Sequence, residues 1–261
     1  YIENNFAINH RNISELSLAI KNSLANYEDY ADTTKNYGVI DSSKVWRAPI
    51  IHDYDVFTKE ETDEINKFKV DLILDASASQ IGRQHIVANQ AYIIAKAMDE
   101  VNIPIRIMGF STLRDHTVFT LYRDYKEKNK NLELYNFFAS GSNRDGFAFK
   151  TIHELIDTEE NTRHIAIVLS DGKPNDERPN INTTKLQNKD QYIGQIAIDD
   201  TAFEIRNLKN DNISVLGVFT GEDEDVENAK LIYNKDFVRI TNLENFSKIV
   251  SIFMKNQILM Q

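Results

Sequence analysis

The feature that most constrains the fold is an alternation of short apolar runs with longer segments of helical periodicity, which begins near Lys69. The runs Val70–Leu74 and Ile165–Leu169 are apolar over most of a strand length, which is typical of parallel strands buried on both faces of a sheet. Strand–helix alternation of this kind favours a sheet covered by helices. We therefore predict an α/β protein with a doubly wound, mostly parallel, Rossmann-like sheet and helices on both faces.

The same periodicity places the individual elements along the chain. We expect strands at 70–74, 103–110, 117–122, 165–169, 213–219 and 237–240, with 117–122 at an edge of the sheet. We expect helices at 13–30, 85–101, 146–156, 193–208 and 243–254. The sequence between the first helix and Lys69 is polar and irregular. We therefore divide the chain into a lead-in segment at 1–66, the tail of an upstream region, and a domain at 67–261.

The composition excludes several classes of function. The chain has no cysteine, which excludes disulfides, thiolate metal sites and cysteine nucleophiles and is typical of a cytoplasmic protein. Its net charge is −10 and its lysines are scattered, so nucleic acid is not an expected partner. No run of 18 apolar residues occurs, so we predict no membrane span. Because the chain begins with Tyr1, we expect it to be part of a longer protein.

Two of the apolar runs lead into aspartates in polar loops. Asp75 closes the first run, with Ser77 and Ser79 at alternate positions after it, and Asp171 follows a later run. The carboxyl ends of parallel strands meet at one edge of a sheet, where open α/β sheets bind their ligands. Carboxylate and hydroxyl oxygens are hard ligands suited to Mg²⁺. The sequence therefore predicts a metal site for Mg²⁺, with Mn²⁺ or Ca²⁺ as alternatives because these ligand types do not separate the three ions.

A third polar loop, 141–146, lies between these two in the sequence and opens a predicted helix. Asn143 can offer an amide oxygen to a metal, or it can be only a turn residue. Asp145 can offer a carboxylate, or it can cap the helix that begins near Gly146, because aspartate is a preferred helix cap. Both residues are candidate ligands.

These loops resemble the metal-ion-dependent adhesion site of von Willebrand factor A-type (VWA) domains. Asp75, Ser77 and Ser79 match the family pattern of aspartate and two serines at alternate positions. Asp171 matches a later aspartate, which in the family contacts the metal through water. The family's intermediate loop supplies a threonine, where this chain has Asn143 with Asp145 two residues on. The resemblance implies the VWA fold over 67–261, and it leaves open which of the two residues replaces the threonine.

A narrower resemblance is to the carboxyl-terminal domain of nitric oxide reductase activation proteins (NorD) and to cobaltochelatase proteins of the CobT type. It covers about residues 38–255 and rests on the segments 38–41, 46–48, 55–57, 172–176, 192–195 and 198–201. The resemblance implies a non-enzymatic adaptor that works with a hexameric AAA+ ATPase of the MoxR type. In such an adaptor the bound metal grips an acidic side chain of a client metalloenzyme.

Two alternative functions share the same residues. A metal-assisted hydrolase or phosphatase would use Asp75 and Asp171. Aspartate-nucleophile phosphatases of similar topology carry a second carboxylate two residues after the first, where this chain has Ser77, which argues against that class. An adhesion-type binding module would have the same fold, and the absence of cysteine argues mildly against it.

Three further features are predicted to have no chemical role. Asp199 and Asp200 lie within the predicted helix at 193–208 and are expected to form a solvated face. The acidic stretch 223–227 is expected to be a solvated loop. We expect Tyr192 to be a packing residue rather than one that binds a ligand.

Overall fold

The computed structural model describes residues 5–31, 39–52, 56–58, 67–114, 116–156, 162–179, 191–239 and 250–256. The strands in these ranges are β1 (Val39–Ile40), β2 (Phe57–Thr58), β3 (Lys67–Asp75), β4 (Ile105–Leu113), β5 (His116–Arg123), β6 (Thr162–Ser170), β7 (Asp176–Pro179), β8 (Gln191–Tyr192), β9 (Ser214–Phe219) and β10 (Phe237–Arg239). The helices are α1 (Phe6–Ala31), α2 (Arg47–Ile51), α3 (Gln84–Glu100), α4 (Asp145–Leu155), α5 (Gly194–Asn210) and α6 (Val226–Tyr233), and residues 250–256 are also helical.

Six strands form the central sheet in the order β10-β9-β6-β3-β4-β5. Every neighbouring pair is parallel except β4 and β5, which pair antiparallel. The mostly parallel sheet and the edge position of β5 confirm the predicted fold class and the predicted edge strand. Two small antiparallel pairs, β1 with β2 and β7 with β8, lie outside this sheet and were not predicted.

Helices cover both faces of the sheet and enclose two apolar clusters. Leu72 and Leu74 of β3 belong to the cluster that α1 and α3 cover. Ile73 lies between them in the sequence and belongs to the opposite cluster, which α4, α5 and α6 cover. Side chains of a strand point alternately to the two faces, so the unbroken apolar run Leu72–Leu74 fits a sheet that is covered on both sides. The doubly wound arrangement is therefore confirmed.

The predicted helices and strands are confirmed apart from shifts at their ends and two regions. The helix α6 follows the acidic residues Asp223–Asp225, which form a 3-10 turn. The prediction of a solvated loop is wrong for Asp225, which is buried. The last predicted helix is confirmed where residues 250–254 are helical, and its beginning at 243–249 lies outside the described residues, as does Ile240.

The helix α1 packs against the sheet through one face. Leu16 and Ile20 are fully buried in the cluster that also contains α3. The side-chain amides of Asn9 and Asn89 exchange two hydrogen bonds, of 2.6 and 2.9 Å, between α1 and α3. Among the described helices, none has both the length and the apolar character that crossing a membrane requires. The division of the chain at residue 66 stays a prediction.

The two faces of α1 give a direct test of its packing. We expect Leu16→Ala to lower the free energy of unfolding by about 2–5 kcal/mol, because it removes a buried side chain and leaves a cavity. Leu18 is 58% exposed on the same helix, so Leu18→Ala is the matched control and should change stability by less than about 0.5 kcal/mol. Urea unfolding followed by circular dichroism measures both changes. Equal effects would show that α1 does not pack on the core.

Candidate metal centre

The predicted ligands lie at the carboxyl-terminal edge of the parallel strands. Asp75 is the last residue of β3, and Asp171 directly follows β6. These strands are neighbours in parallel register, with Leu74 beside Leu169, so their ends deliver both carboxylates to the same edge. Ser77 directly precedes the 3-10 turn that follows β3. The sheet therefore brings the first and last predicted loops together.

Backbone hydrogen bonds join the third loop to the other two. The Ala78 N–H donates to the Gly141 carbonyl at 2.9 Å. Asn143 and Asn175 exchange two backbone hydrogen bonds of 3.0 Å each, which tie the third loop to the loop that follows Asp171. The side-chain oxygen of Asn143 also accepts a hydrogen bond from the Asn175 N–H at 3.0 Å. The three loops form one connected unit.

The hydroxyl and carboxylate oxygens of the first loop are arranged by short-range hydrogen bonds. Asp75 Oδ1 accepts a hydrogen bond from the Ser77 N–H at 2.9 Å, which is the turn that aspartate commonly forms two residues ahead. The hydroxyl oxygens of Ser77 and Ser79 lie 2.9 Å apart. Asp75 and Ser77 are buried, whereas Ser79 is exposed. The two hydroxyls therefore lie side by side between a buried carboxylate and the surface.

Three carboxylates are buried near one another beneath these hydroxyls. Burial, together with the negative charge of Asp171, raises the pKa of Asp75 to about 7. Burial, followed by the charges of Asp75 and Asp171, raises the pKa of Asp145 well above its ordinary value. Burial also raises the pKa of Asp171, although a hydrogen bond from Ser79 opposes that shift. Burial and like charges disfavour ionisation, so the negative charges of this site are unfavourable unless a positive charge compensates them.

Asp145 does not act as the hydrogen-bonding cap of its helix. It is the first residue of α4 and is fully buried. Neither carboxylate oxygen of Asp145 has a hydrogen-bond partner among the described residues. The side chain of Asn143 lies near enough to lower the pKa of Asp145, but it does not reach hydrogen-bond geometry. Of the two roles that the sequence left open, the structure contradicts the cap. The role of metal ligand, for Asp145 and for Asn143, stays a prediction.

Comparisons with known proteins agree with the fold. The profile of the family described as the cobalamin biosynthesis protein CobT VWA domain matches residues 56–121, which contain β3 and the loop from Asp75 to Ser79. The structure is also similar to the vWF domain of the type V pili tip protein Mfa5 from Porphyromonas gingivalis. That match has a TM-score of 0.56 and 12% identity, and it covers 74% of this chain and 97% of that one. The chain has the VWA fold, and its residues 56–121 resemble the VWA domain of CobT.

Two further solved structures are similar in fold to this chain. The pilus adhesin SpaC from Lactobacillus rhamnosus GG matches with a TM-score of 0.55 and 16% identity. The match covers 73% of this chain but only 30% of the adhesin. The manganese-loaded TRAP protein of Plasmodium vivax matches with a TM-score of 0.50 and 12% identity, covering 72% of this chain and 74% of that one. No curated protein matches the sequence. At these identities the structural matches show the fold alone.

The donor atoms that these three loops bring together would suit a hard divalent cation. Within the described ranges, no group of three or more histidine, aspartate or glutamate side chains is spaced to hold a metal by itself. A metal here would therefore depend on the hydroxyls of Ser77 and Ser79 as well as on carboxylates. All the donors are oxygens, which Mg²⁺, Mn²⁺ and Ca²⁺ prefer. The hydroxyls line a cleft of about 400 Å³, together with Asn143, Lys173 and Asn175.

Two residues that the sequence analysis did not select support the site of the VWA domain. The Ser170 hydroxyl donates to Asp75 Oδ2 at 3.1 Å and accepts from the Gly172 N–H at 3.1 Å. Lys173 forms a 2.7 Å ion pair with Asp225. The position of Ser170 between a buried strand and Asp171 was a usable signal in the sequence. The partner of Lys173 lies 52 residues along the chain, and no local pattern indicates it.

A tyrosine and an aspartate of the region around α5 hold the start of α4. Tyr192 Oη accepts a hydrogen bond from the Gly146 N–H at 3.1 Å and donates one to Asp200 Oδ2 at 2.9 Å. A Cβ at Gly146 would collide with Asp200, so only glycine permits this approach. The burial of Tyr192 agrees with the prediction that it packs rather than binds a ligand, although its hydroxyl also forms hydrogen bonds. Asp199 is exposed as predicted, whereas Asp200 is only partly exposed and accepts a hydrogen bond from Tyr192. The Tyr192–Asp200 pair fixes the backbone next to Asp145.

The excess of negative charge predicts an unusual gain of stability. We expect Asp145→Asn to raise the free energy of unfolding of the metal-free protein at pH 7.5 by about 1 kcal/mol, a typical size for a stabilising substitution. The substitution removes a buried charge and breaks no hydrogen bond of the carboxylate. Urea unfolding in the presence of EDTA measures the change.

The pH dependence of that gain provides its control. Because the pKa of Asp145 is raised in the folded state, the folded protein binds more protons than the unfolded chain above an unfolded pKa of about 3.9. Wild-type stability therefore falls as pH rises from that value towards the folded pKa. The gain from Asp145→Asn should be small at pH 4 and grow by pH 7.5. A loss of stability at pH 7.5 would contradict the proposed repulsion.

The hydrogen bonds of Tyr192 predict that removing its hydroxyl destabilises the protein, in contrast to Asp145→Asn. We expect Tyr192→Phe to lower the free energy of unfolding by about 1–3 kcal/mol, because the buried Gly146 N–H and Asp200 each lose a partner. Tyr135→Phe, which removes a half-buried hydroxyl elsewhere in the domain, is the control. Thermal and urea unfolding measure both variants. If the two variants were equally stable, Tyr192 would be a packing residue only.

Proposed function

We propose that this VWA domain is a non-catalytic, metal-dependent protein-binding domain. The observation that carries the proposal is the burial of Asp75, Asp145 and Asp171 together beneath the hydroxyls of Ser77 and Ser79. A divalent cation would neutralise the charges that now repel one another. The similarity to a manganese-loaded VWA protein supports a divalent ion in this fold. We propose Mg²⁺ as the ion, with Mn²⁺ or Ca²⁺ as alternatives.

The proposed ligands differ in charge and exposure. Asp75 would supply a negative charge from the buried side of the site. Its orientation is fixed because the Ser77 N–H and the Ser170 hydroxyl each donate to one of its oxygens. The neutral hydroxyls of Ser77 and Ser79 add donors without adding charge. Asp171, with Asn143 or Asp145, would complete the set from the other loops. Once bound, the cation would supply an electrophilic position open to a carboxylate of another protein.

A positively charged side chain at the rim of the cleft supports an acidic partner. Lys173 lines the cleft, and its side chain is 45% exposed despite its ion pair with Asp225. A lysine at this position attracts an approaching carboxylate by ordinary Coulomb interaction. We therefore propose that the bound group is an acidic side chain of a client protein.

The similarity of the domain to CobT supports a proposal for its partner proteins. The match of residues 56–121 to the CobT profile and the NorD-like segments at 172–176, 192–195 and 198–201 favour an adaptor of this branch. We propose that the domain works with a MoxR-type AAA+ ATPase in the cytoplasm. The client would be a metalloenzyme that the ATPase remodels or loads with metal, as in nitric oxide reductase activation.

The geometry argues against a hydrolase or phosphatase that uses Asp75 as a nucleophile. The Asp75 side chain is fully buried, and hydrogen bonds occupy both of its oxygens. A nucleophile must reach its substrate, and this carboxylate lies beneath the hydroxyls. The pilus adhesins of the same fold raise an adhesion-type module as a second candidate, and it would use the same site with a different partner.

A calorimetric titration with Mg²⁺ and Mn²⁺ tests the metal site. We expect wild type to bind one ion, and Ser79→Ala to weaken binding by about tenfold or more. Ser142→Ala is the matched control, because Ser142 lines the same cleft and is not a proposed ligand. Its affinity should equal that of wild type. Equal affinities for all three proteins would contradict the assignment of Ser79.

A co-purification experiment tests the partner. A purified MoxR-type ATPase from the same organism should be retained by the immobilised domain in Mg²⁺ together with the acidic client, and the client should be released by EDTA. Ser79→Ala should lose the client as well, whereas Ser142→Ala should keep it. Binding of the client that is unaffected by both EDTA and Ser79→Ala would exclude a metal bridge.

A further inference from the structure

Tyr233 carries a buried hydroxyl that nothing in the proposed function explains. The residue is the last of α6 and is 3% exposed. Its Oη atom has no hydrogen-bond partner in the part of the chain that the structure describes. Buried hydroxyls almost always have a partner, because burying one without a hydrogen bond costs free energy. An orphaned hydroxyl of this kind therefore needs an explanation.

The ring of Tyr233 is held rigidly over the sheet. It packs on Gly217 of β9, where an added Cβ would lie only 2.5 Å from the ring atoms. Gly217 pairs in register with Val168, and Val168 pairs with Ile73 of β3. Tyr233 and Ile73 belong to the same apolar cluster. The tyrosine thus lies on the face of the sheet that α4, α5 and α6 cover.

The same face carries the buried carboxylates. Asp75 follows Ile73 by two residues on β3, so its side chain leaves the strand on this face. Asp145 begins α4, which packs on this face through Phe149. Burial and then the charge of Asp145, more than those of Asp75 and Asp171, raise the pKa of Tyr233 well above its ordinary value. Tyr233, Asp75 and the start of α4 therefore lie on the same covered face of the sheet, and the hydroxyl keeps its proton.

Four buried polar atoms of Tyr233 and of the third loop have no hydrogen-bond partner among the described residues. They are both carboxylate oxygens of Asp145, the side-chain nitrogen of Asn143 and the hydroxyl of Tyr233. Two of them are acceptors when Asp145 is charged, and the other two are donors. A buried water is held by two to four such partners. The two donors could therefore supply the hydrogen bonds, directly or through a water, that a charged Asp145 requires.

We propose that Tyr233 is a positioning residue for the metal site, whose hydroxyl donates a hydrogen bond to Asp145, directly or through one water, in the metal-loaded protein. This inference rests on the proposed metal site. The hydrogen bond orients Asp145 towards the cation and stabilises its charged form. Residues that orient metal ligands in this way typically change metal affinity by 10–100-fold when they are removed.

The test is the affinity of Tyr233→Phe for Mg²⁺ and Mn²⁺ by calorimetry. We expect the substitution to weaken binding by about tenfold. The melting temperature of the metal-free protein in EDTA should stay the same or rise, because the lost hydroxyl makes no hydrogen bond. A purely structural role would predict the reverse pattern, with a lower melting temperature and unchanged affinity, and that result would overturn the inference.

Two controls separate the inference from the proposed function. Tyr122→Phe removes a buried hydroxyl from the opposite cluster and should leave metal affinity unchanged. In an Asp145→Asn background, Tyr233→Phe should weaken Mn²⁺ binding by less than in wild type, and equal losses would overturn the link through Asp145. If wild type and Tyr233→Phe bind equally well, the metal site stands and the role of Tyr233 fails. If wild type binds neither ion, both proposals fail.

Discussion

Repulsion among three buried carboxylates is the interaction on which the rest of the site depends. Asp75, Asp145 and Asp171 come from three loops, and each has a pKa raised by burial. Without a compensating positive charge this arrangement opposes folding. The apolar clusters on both faces of the sheet must therefore supply the stability that holds the loops in place. A group of carboxylates maintained at such a cost is typical of a functional site.

The scaffold around the carboxylates is rigid where the site needs it. Parallel register between β3 and β6 sets the separation of the first and last loops. The paired backbones of Asn143 and Asn175 fix the third loop, and Tyr192 with Asp200 holds the start of α4. Ligands on such a scaffold lose little freedom when an ion binds, which favours affinity. The same rigidity leaves Ser79 and Lys173 exposed at the cleft, where a partner can reach them.

The fold was predictable because its signal is local. A short apolar run such as Val70–Leu74 identifies a buried strand, and the serines after Asp75 identify the loop. The helix α6 was missed because it is short and follows an acidic stretch that resembles a solvated loop. The roles of Asp200 and Tyr233 were not predictable, because Asp200 approaches Gly146 from 54 residues away and Tyr233 lies 88 residues from Asp145. The sequence also does not show that Asp145 is buried without a hydrogen bond, which is the observation that contradicts the role of helix cap.

The most direct test of this account is anomalous diffraction from crystals of the wild-type domain grown with Mn²⁺. Manganese gives a strong signal at its absorption edge, so the position of the ion is observed and not inferred from affinity. The account predicts one strong peak in the cleft, within coordination distance of the Ser77 and Ser79 hydroxyls and above the three carboxylates. An empty cleft with manganese bound only at exposed acidic residues elsewhere would contradict it.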